Sequence, residues 1–341
     1  MLGVVWNNNR DILIYDFSEL IKEAKTLIPT KRNVLRILSS FFDPLGSTQP
    51  VIIGLKILMQ TICKEKLDWD EILPHNLLKI WQDCLIKLEN LGSIEISRCF
   101  EIGDTTNPVI KRELHGFCDA SLNGYGACIY VKTFYESGNI SISLLCSKSR
   151  VAPLKQETIP RLELLGALLL SRLMFLVCSS LMEEILFDSF YYWCDLQIVL
   201  AWIESTNKEF KTFIENRLVE IRKKTFIENW HDCKTTNNPA DLVTRNQIVD
   251  LNKNQLWWAG PSFLKEHNIF ANKDVNNIDL IELKNETSFI CLTDIKDTID
   301  LNEILHFNKY SNFRKLIRIT SWILHFVNNI KNKIKKLELF Y

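Results

Sequence analysis

Hydrophobic positions follow two regimes along this chain. Up to about residue 100 they recur mostly at helical spacing, after a short alternating start. Leu2-Gly3-Val4-Val5-Trp6, a polar Asn7-Asn8-Asn9 turn and Ile12-Leu13-Ile14-Tyr15 predict a hairpin. An opening this far inside a strand predicts a piece of a longer polypeptide. Helical spacing starts from Thr30 and breaks at Phe41-Phe42-Asp43-Pro44-Leu45-Gly46, where aspartate before proline and a following glycine make a turn. It resumes over about residues 51–64 and breaks again at Leu67-Asp68-Trp69-Asp70. Leu78, Trp81, Leu85 and Leu88 then mark one face of a helix over residues 77–91.

Residues 101–110 are polar, contain Asp104-Thr105-Thr106-Asn107-Pro108, and predict a domain boundary. Beyond it the period changes. Strands are expected over 113–118, 126–132 and 140–146, the third alternating Ile140, Ile142 and Leu144 with serines. Ser147 to Lys155 reads as a basic loop. Pro160 opens a helix over 161–177, in which Gly166, Ala167 and Ser171 permit close approach to a sheet. A strand over 190–193, a helix over 196–204, a basic amphipathic helix over 208–224, a strand over 226–231 and a short turn around Asp241 follow. This order predicts an α/β fold: a five-stranded mixed sheet with flanking helices, preceded by a mostly helical segment. Three regions result: 1–100, 101–250, and 251–341, the last a linker with a basic helical tail over 313–336.

Composition narrows the classes. With 341 residues and 47% apolar content the chain can bury a sizeable core. Lys plus Arg and Asp plus Glu number 41 each, so a nucleic-acid surface has to be a local patch. The ten cysteines are scattered without a Cys-x-x-Cys pair, which excludes a structural zinc module and fits reduced core thiols. The first ten residues have no basic n-region and no long apolar core, so the expectation is an intracellular, cytoplasmic protein rather than a secreted one. Leu164 to Met182 is apolar enough to resemble a membrane span, but Arg172 near its middle costs roughly 2.5–3.5 kcal/mol on insertion scales. A helix buried on a sheet, with no membrane partner, is the better reading.

Four acidic residues sit at the edges of apolar elements: Asp119 in His115-Gly116-Phe117-Cys118-Asp119-Ala120-Ser121, Glu163 in Ile159-Pro160-Arg161-Leu162-Glu163-Leu164, Asp195 in Tyr192-Trp193-Cys194-Asp195, and Asp241 in Asn238-Pro239-Ala240-Asp241-Leu242. Singly, each has a structural explanation as a turn residue, a first-turn carboxylate or a cap. Together they suit a pair of divalent ions roughly 3.5–4 Å apart, which activate water and stabilise the departing oxygen of a phosphodiester. Mg²⁺ takes hard oxygen ligands, so carboxylates on rigid elements are its natural protein partners.

These four motifs, in this order, resemble the RNase H region of BEL/Pao-type LTR retrotransposon polyproteins, a region also named the Pao retrotransposon peptidase family. Leu2-Gly3-Val4-Val5-Trp6, Phe42-Asp43-Pro44-Leu45-Gly46, Leu67-Asp68-Trp69-Asp70, Ser147-Lys148-Ser149-Arg150-Val151-Ala152-Pro153-Leu154-Lys155 and Leu256-Trp257-Trp258-Ala259-Gly260-Pro261 extend the resemblance over roughly residues 1–264. It implies an RNase H-like domain over 101–250, preceded by the end of a reverse transcriptase with its thumb and connection. The implied activity is metal-dependent cleavage of the RNA strand of an RNA–DNA hybrid, leaving 3′-hydroxyl and 5′-phosphate ends. Two Mg²⁺ or Mn²⁺ ions would be held by Asp119, Glu163, Asp195 and Asp241. The implied setting is the cytoplasm or virus-like particles. Lys148, Arg150 and Lys155, with Lys211, Arg217, Arg222, Lys223 and Lys224 of the basic helix, are the candidates for phosphate contact.

Several features depart from a complete element. The polymerase's Asp-Asp pair is absent, so polymerisation is not expected. Leu196 stands where relatives carry serine, and Asn246 where glycine is common. No His-His-Cys-Cys module or integrase core follows, so reverse transcriptase and integrase regions are expected partners lying outside this chain. Two rival readings follow. One is a non-catalytic RNase H-like scaffold that binds nucleic acid. The other is an aspartic peptidase, for which the nearest loop, Asp104-Thr105-Thr106, lacks the needed glycine.

Overall fold

In the computed structural model, residues 4–101, 107–181, 183–245 and 250–267 are described, with 282, 283, 321 and 329. The Asp104-Thr105-Thr106 loop and most of the basic tail over 313–336 lie outside the described residues.

The chain opens with the expected hairpin, β1 (Val4–Asn7) and β2 (Ile12–Asp16), paired antiparallel. A third strand that the sequence did not suggest, β3 (Ser93–Ser97), pairs with β2 and completes a small sheet. Between them lie four helices: α1 (Ser18–Thr26), α2 (Lys31–Ser40), α3 (Gln49–Lys64) and α4 (His75–Leu91). Thr30 caps α2, its hydroxyl accepting from the Asn33 N–H. Helix α4 buries Leu77, Trp81, Leu85 and Leu88. Leu77 replaces the expected Leu78, which is only partly buried, a rotation of the apolar face by one residue.

The five-stranded sheet runs in the order β6-β5-β4-β7-β8. Its members are β4 (Val109–Ala120), β5 (Gly124–Tyr135), β6 (Ile140–Val151), β7 (Ser189–Cys194) and β8 (Trp230–Asp232). β4 to β6 form an antiparallel meander, while β7 and β8 run parallel to β4 and are reached through helical crossovers. The crossovers are α5 (Ile159–Leu181), then α6 (Gln197–Glu204) and α7 (Thr212–Lys224). The sheet with its flanking helices is the RNase H-like arrangement expected.

Two expected boundaries are corrected. β6 continues to Val151, so Lys148 and Arg150 project from a strand rather than from a loop. The last strand is only Trp230–Asp232: Phe226 is exposed and Ile227–Asn229 forms a 3-10 turn, leaving three residues to pair with β7.

Alternation on the central strands sorts side chains into two cores. Cys118, Tyr192 and Cys194 face α5, α6 and α7 in one core. Phe117, Tyr130 and Trp193 face the other, which they share with buried residues of α1 to α4 and with Trp257. That second core is tied by hydrogen bonds. Trp257 Nε1–H donates to the Ser47 carbonyl at 2.9 Å, and the Tyr130 hydroxyl donates to the Trp257 carbonyl at 2.7 Å. The tryptophan thus packs in this core.

The apolar run over 164–182 is likewise a core helix. Leu164, Ala167, Leu170 and Met174 of α5 are buried, and half of its most apolar window lies inside the protein.

A buried polar network lies farther along β4. The Trp193 indole N–H, donor only, reaches His115 Nδ1 at 3.3 Å, so Nε2 carries the histidine proton and donates to Glu113 at 3.2 Å. Burial pushes the Glu113 carboxyl up. Hydrogen bonds from His115 and Lys111 outweigh that and hold it at about 2.

Candidate functional site

The parallel pairing of β4 with β7 sets Cys118 opposite Cys194. The next residue of each strand is therefore a carboxylate at the same end of neighbouring parallel strands: Asp119 and Asp195. Carboxyl ends of parallel strands are where ligands bind in α/β sheets.

Glu163 comes from the first turns of α5. The helix lies so close to β4 that a Cβ built on Gly166 would sit 3.1 Å from the Asp119 carbonyl oxygen. Glycine at this position lets the helix deliver Glu163 over the strand end. Asp241 comes from a 3-10 turn, Pro239–Val243. The buried Asn238 side chain anchors that turn: its Nδ2–H donates to the Cys118 carbonyl at 2.8 Å and its Oδ1 caps the Ala240 N–H at 3.1 Å.

Two threonines hold the aspartates. Thr244 Oγ1–H donates to Asp119 Oδ2 at 2.5 Å, and Thr235 Oγ1–H to Asp195 Oδ2 at 3.0 Å. Arg245 Nε lies 2.7 Å from Asp241 Oδ1. Asn238, Thr235 and Thr244 were not singled out in the sequence. Asn238 alone carried a readable signal, as an asparagine cap directly before a proline.

The electrostatics are those of crowded, buried acids. Burial, first, pushes the Asp119 carboxyl up to about 7; Thr244 opposes this, while Asp195 and Asp241 add to it. Burial also drives Glu163 up to about 11, with Cys194, Asp119 and Asp195 contributing. Asp195 is raised by burial and by Asp241, against the Thr235 hydrogen bond. Each of the four carboxylates thus takes part in this mutual repulsion. Glu163 Oε2 and Asp195 Oδ1 are buried without a hydrogen-bond donor, an arrangement that costs free energy unless a proton or a cation meets them. One oxygen of each, with Cys194 Sγ, form a group whose ligand atoms all lie within 4.8 Å of one another. Hard oxygen donors lacking protein partners fit a divalent cation such as Mg²⁺ or Mn²⁺.

The basic candidates separate into two sets. Arg222 donates to the Trp202, Ile203 and Ser205 carbonyls at the end of α6. Arg217 donates to the Phe213 carbonyl and lies over the Phe213 ring. Lys211 pairs with Glu282 at 3.0 Å, and Lys224 lies over the Phe175 ring. Lys148, Arg150, Lys155 and Lys223 are exposed.

Replacing Thr244 by valine removes the hydroxyl that orients Asp119 while keeping its volume. Loss of such supporting hydrogen bonds typically costs 10- to 100-fold in metal affinity, so a weakening of about that size is expected in a Mn²⁺ titration of the variant.

Comparison with known proteins places the chain. The model of the Pao retrotransposon-like RNaseH-like domain matches residues 30–196. Solved structures with similarity include the N-terminal RNase H domain of a Mycobacterium tuberculosis protein, fused to maltose-binding protein. It is 12% identical with a TM-score of 0.27, the match covering 40% of this chain and 91% of that one. A second is LC11-RNase H1, isolated from compost by a metagenomic approach, 15% identical with a TM-score of 0.27, covering 40% and 95%. A third is RNase H1 from the halophilic archaeon Halobacterium salinarum, 10% identical with a TM-score of 0.26, covering 38% and 91%. No curated protein matches the chain. Residues 30–196 of this chain are thus similar to the Pao retrotransposon-like RNaseH-like domain.

Proposed function

We propose that this protein is a metal-dependent ribonuclease H, hydrolysing the RNA strand of an RNA–DNA hybrid at Asp119, Glu163, Asp195 and Asp241. The observation that carries the reading is the pair of donor-less buried oxygens, Glu163 Oε2 and Asp195 Oδ1, beside an Asp119 carboxyl raised by burial and, secondarily, by its acidic neighbours. Two divalent ions, Mg²⁺ or Mn²⁺, would supply an activated water and charge stabilisation for the departing 3′ oxygen. The chain's own residues do the positioning. Thr244 and Thr235 fix one oxygen each of Asp119 and Asp195, leaving the others for ligation. Asn238 fixes the turn that brings Asp241.

Exposed Lys148, Arg150, Lys155 and Lys223 are the favoured phosphate contacts, and the ribose 2′-hydroxyl is the group that distinguishes the RNA strand. On the same reading, residues 1–100 are the closing part of a reverse transcriptase, and residues 251–341 a linker and basic tail.

A second reading, a non-catalytic scaffold that binds nucleic acid, has one observation in its favour: Arg245 already neutralises Asp241 at 2.7 Å. Incubating a labelled RNA–DNA hybrid with the purified chain and Mg²⁺ or Mn²⁺, beside Asp119→Asn and an RNA-only control, separates the two. Hybrid-specific cutting that disappears in the variant is expected. Hybrid binding without cutting would transfer the assignment to the scaffold.

A further inference from the structure

The strand that delivers Asp195 also delivers a sulfur to the same point. Cys194 is the last residue of β7, wholly buried, on the face that meets α5. Its Sγ lies within 4.8 Å of carboxylate oxygens of both Glu163 and Asp195. Among the described residues its thiol makes a long bond, 3.9 Å, to the Leu196 carbonyl and lies in hydrogen-bonding contact with the Cys118 thiol. Beside it, Glu163 Oε2 is buried without a donor on a residue only 4% exposed. A carboxylate pair alone selects hard cations; a thiolate beside it changes that selection, because sulfur favours the softer ions of the zinc class.

We propose that Glu163, Cys194 and Asp195 form a three-ligand site for a thiophilic divalent cation, Zn²⁺ or Cd²⁺, overlapping the carboxylate centre. Two oxygens and one sulfur around a tetrahedral ion, with bonds of about 2.0–2.3 Å, stand about 3.3–3.8 Å apart. From an observed spacing of at most 4.8 Å, each pair therefore needs to contract by at most about 1.5 Å on binding. The ion replaces the thiol proton, which passes to solvent, and leaves a fourth position for water. Binding by these three residues stands independently of the ribonuclease reading; the consequence that a soft ion displaces Mg²⁺ from the centre rests on it.

The test is a Cd²⁺ titration followed by the ultraviolet thiolate-to-cadmium charge-transfer band. Among the described residues Cys63 and Cys99 are exposed, and Cys291 lies outside them, so the parent for the titration carries Cys63→Ser, Cys99→Ser and Cys291→Ser. One equivalent of Cd²⁺ is expected to develop the band in the parent. Adding Cys194→Ser or Cys194→Ala should abolish it, and adding Glu163→Gln should weaken the apparent affinity at least tenfold while leaving the band at saturation. Near-ultraviolet circular dichroism of each metal-free variant verifies its packing. A parent without the band, or a band that survives Cys194→Ala, overturns the proposal; so does an affinity indifferent to Glu163→Gln, which would mean capture by a lone thiol. Millimolar Mg²⁺ is expected to raise the Cd²⁺ concentration needed, and no competition would overturn the overlap. If the hybrid is never cut but the band behaves as expected, the ribonuclease reading fails and this site stands.

Discussion

Glu163→Gln is expected to stabilise the metal-free chain and, in the same variant, to abolish its stabilisation by Mg²⁺. The two effects have one cause. Glu163 and Asp119 have folded-state carboxyls at about 11 and about 7, against unfolded values near 4. A carboxyl raised on folding binds its proton more tightly in the native state. Its stability contribution is therefore fully present at and below the unfolded value and is lost as pH rises toward the folded one. Without metal, the wild type should lose stability steadily from about pH 4 to pH 8.

Glutamine is the uncharged isostere and removes the largest share of that penalty. At pH 8 and in EDTA, a gain on the order of 2–4 kcal/mol, or about 5–10 °C in Tm, is expected. Mg²⁺ should raise the wild-type Tm more at pH 8 than at pH 6, since ligation requires deprotonated oxygens. The variant should respond at neither pH. Thermal unfolding in EDTA and in Mg²⁺ across that range decides it: a variant less stable than wild type in EDTA at pH 8 would mean that Glu163 is stabilised by its surroundings rather than crowded by them.

Gly46→Ala should be among the most destabilising single substitutions in the described part of the chain. Gly46 has φ +76, and a Cβ there would lie 2.0 Å from the Ser147 carbonyl oxygen on β6. The turn cannot simply lift away. The Ser147 N–H donates to the Leu45 carbonyl at 2.8 Å, its hydroxyl donates to the Gly46 carbonyl at 2.5 Å, and the next carbonyl, that of Ser47, accepts the Trp257 indole.

The left-handed backbone costs about 1 kcal/mol for alanine, and displacing the turn adds these hydrogen bonds at about 1 kcal/mol each, for a total of about 3–5 kcal/mol. Gly138 is the internal control. It has φ +82 but nothing within 4 Å of a built Cβ, so Gly138→Ala should cost only about 1 kcal/mol. Urea unfolding of both variants measures the difference; equal losses would mean that the turn at Gly46 is not wedged against β6.

What could be read from the sequence follows from which neighbours each element has. The β4–β5 hairpin and α5 announce themselves because their apolar residues meet other apolar residues from the same stretch of chain. The second half of β6 did not. Ser147 and Ser149 are buried under a polar lid, with Ser149 Oγ donating to Gln49 and Lys56 Nζ bonding to Ser149, so a paired strand carries the composition of a loop. β3 is invisible for a related reason: Ser-Ile-Glu-Ile-Ser is a strand only because β2, some eighty residues earlier, supplies its partner.

At the candidate site, Asp119, Glu163, Asp195 and Asp241 were legible in the sequence as acidic residues at the edges of apolar elements. The convergence of Asp119 with Asp195 comes from a parallel register that no local pattern encodes. The supporting Thr235 and Thr244 matter through single hydroxyl groups, indistinguishable in sequence from any surface threonine.

The core that joins α1–α4 to the sheet through Phe117, Tyr130, Trp193 and Trp257 bears on what a protease could separate. A peptide-bond cut near residue 100 would sever the chain without releasing either product. The two pieces would remain associated through buried apolar side chains, and pulling them apart would expose an aromatic wall to water, with the self-association that such a surface brings. A cut at that point would change which chain ends exist while leaving the two cores joined.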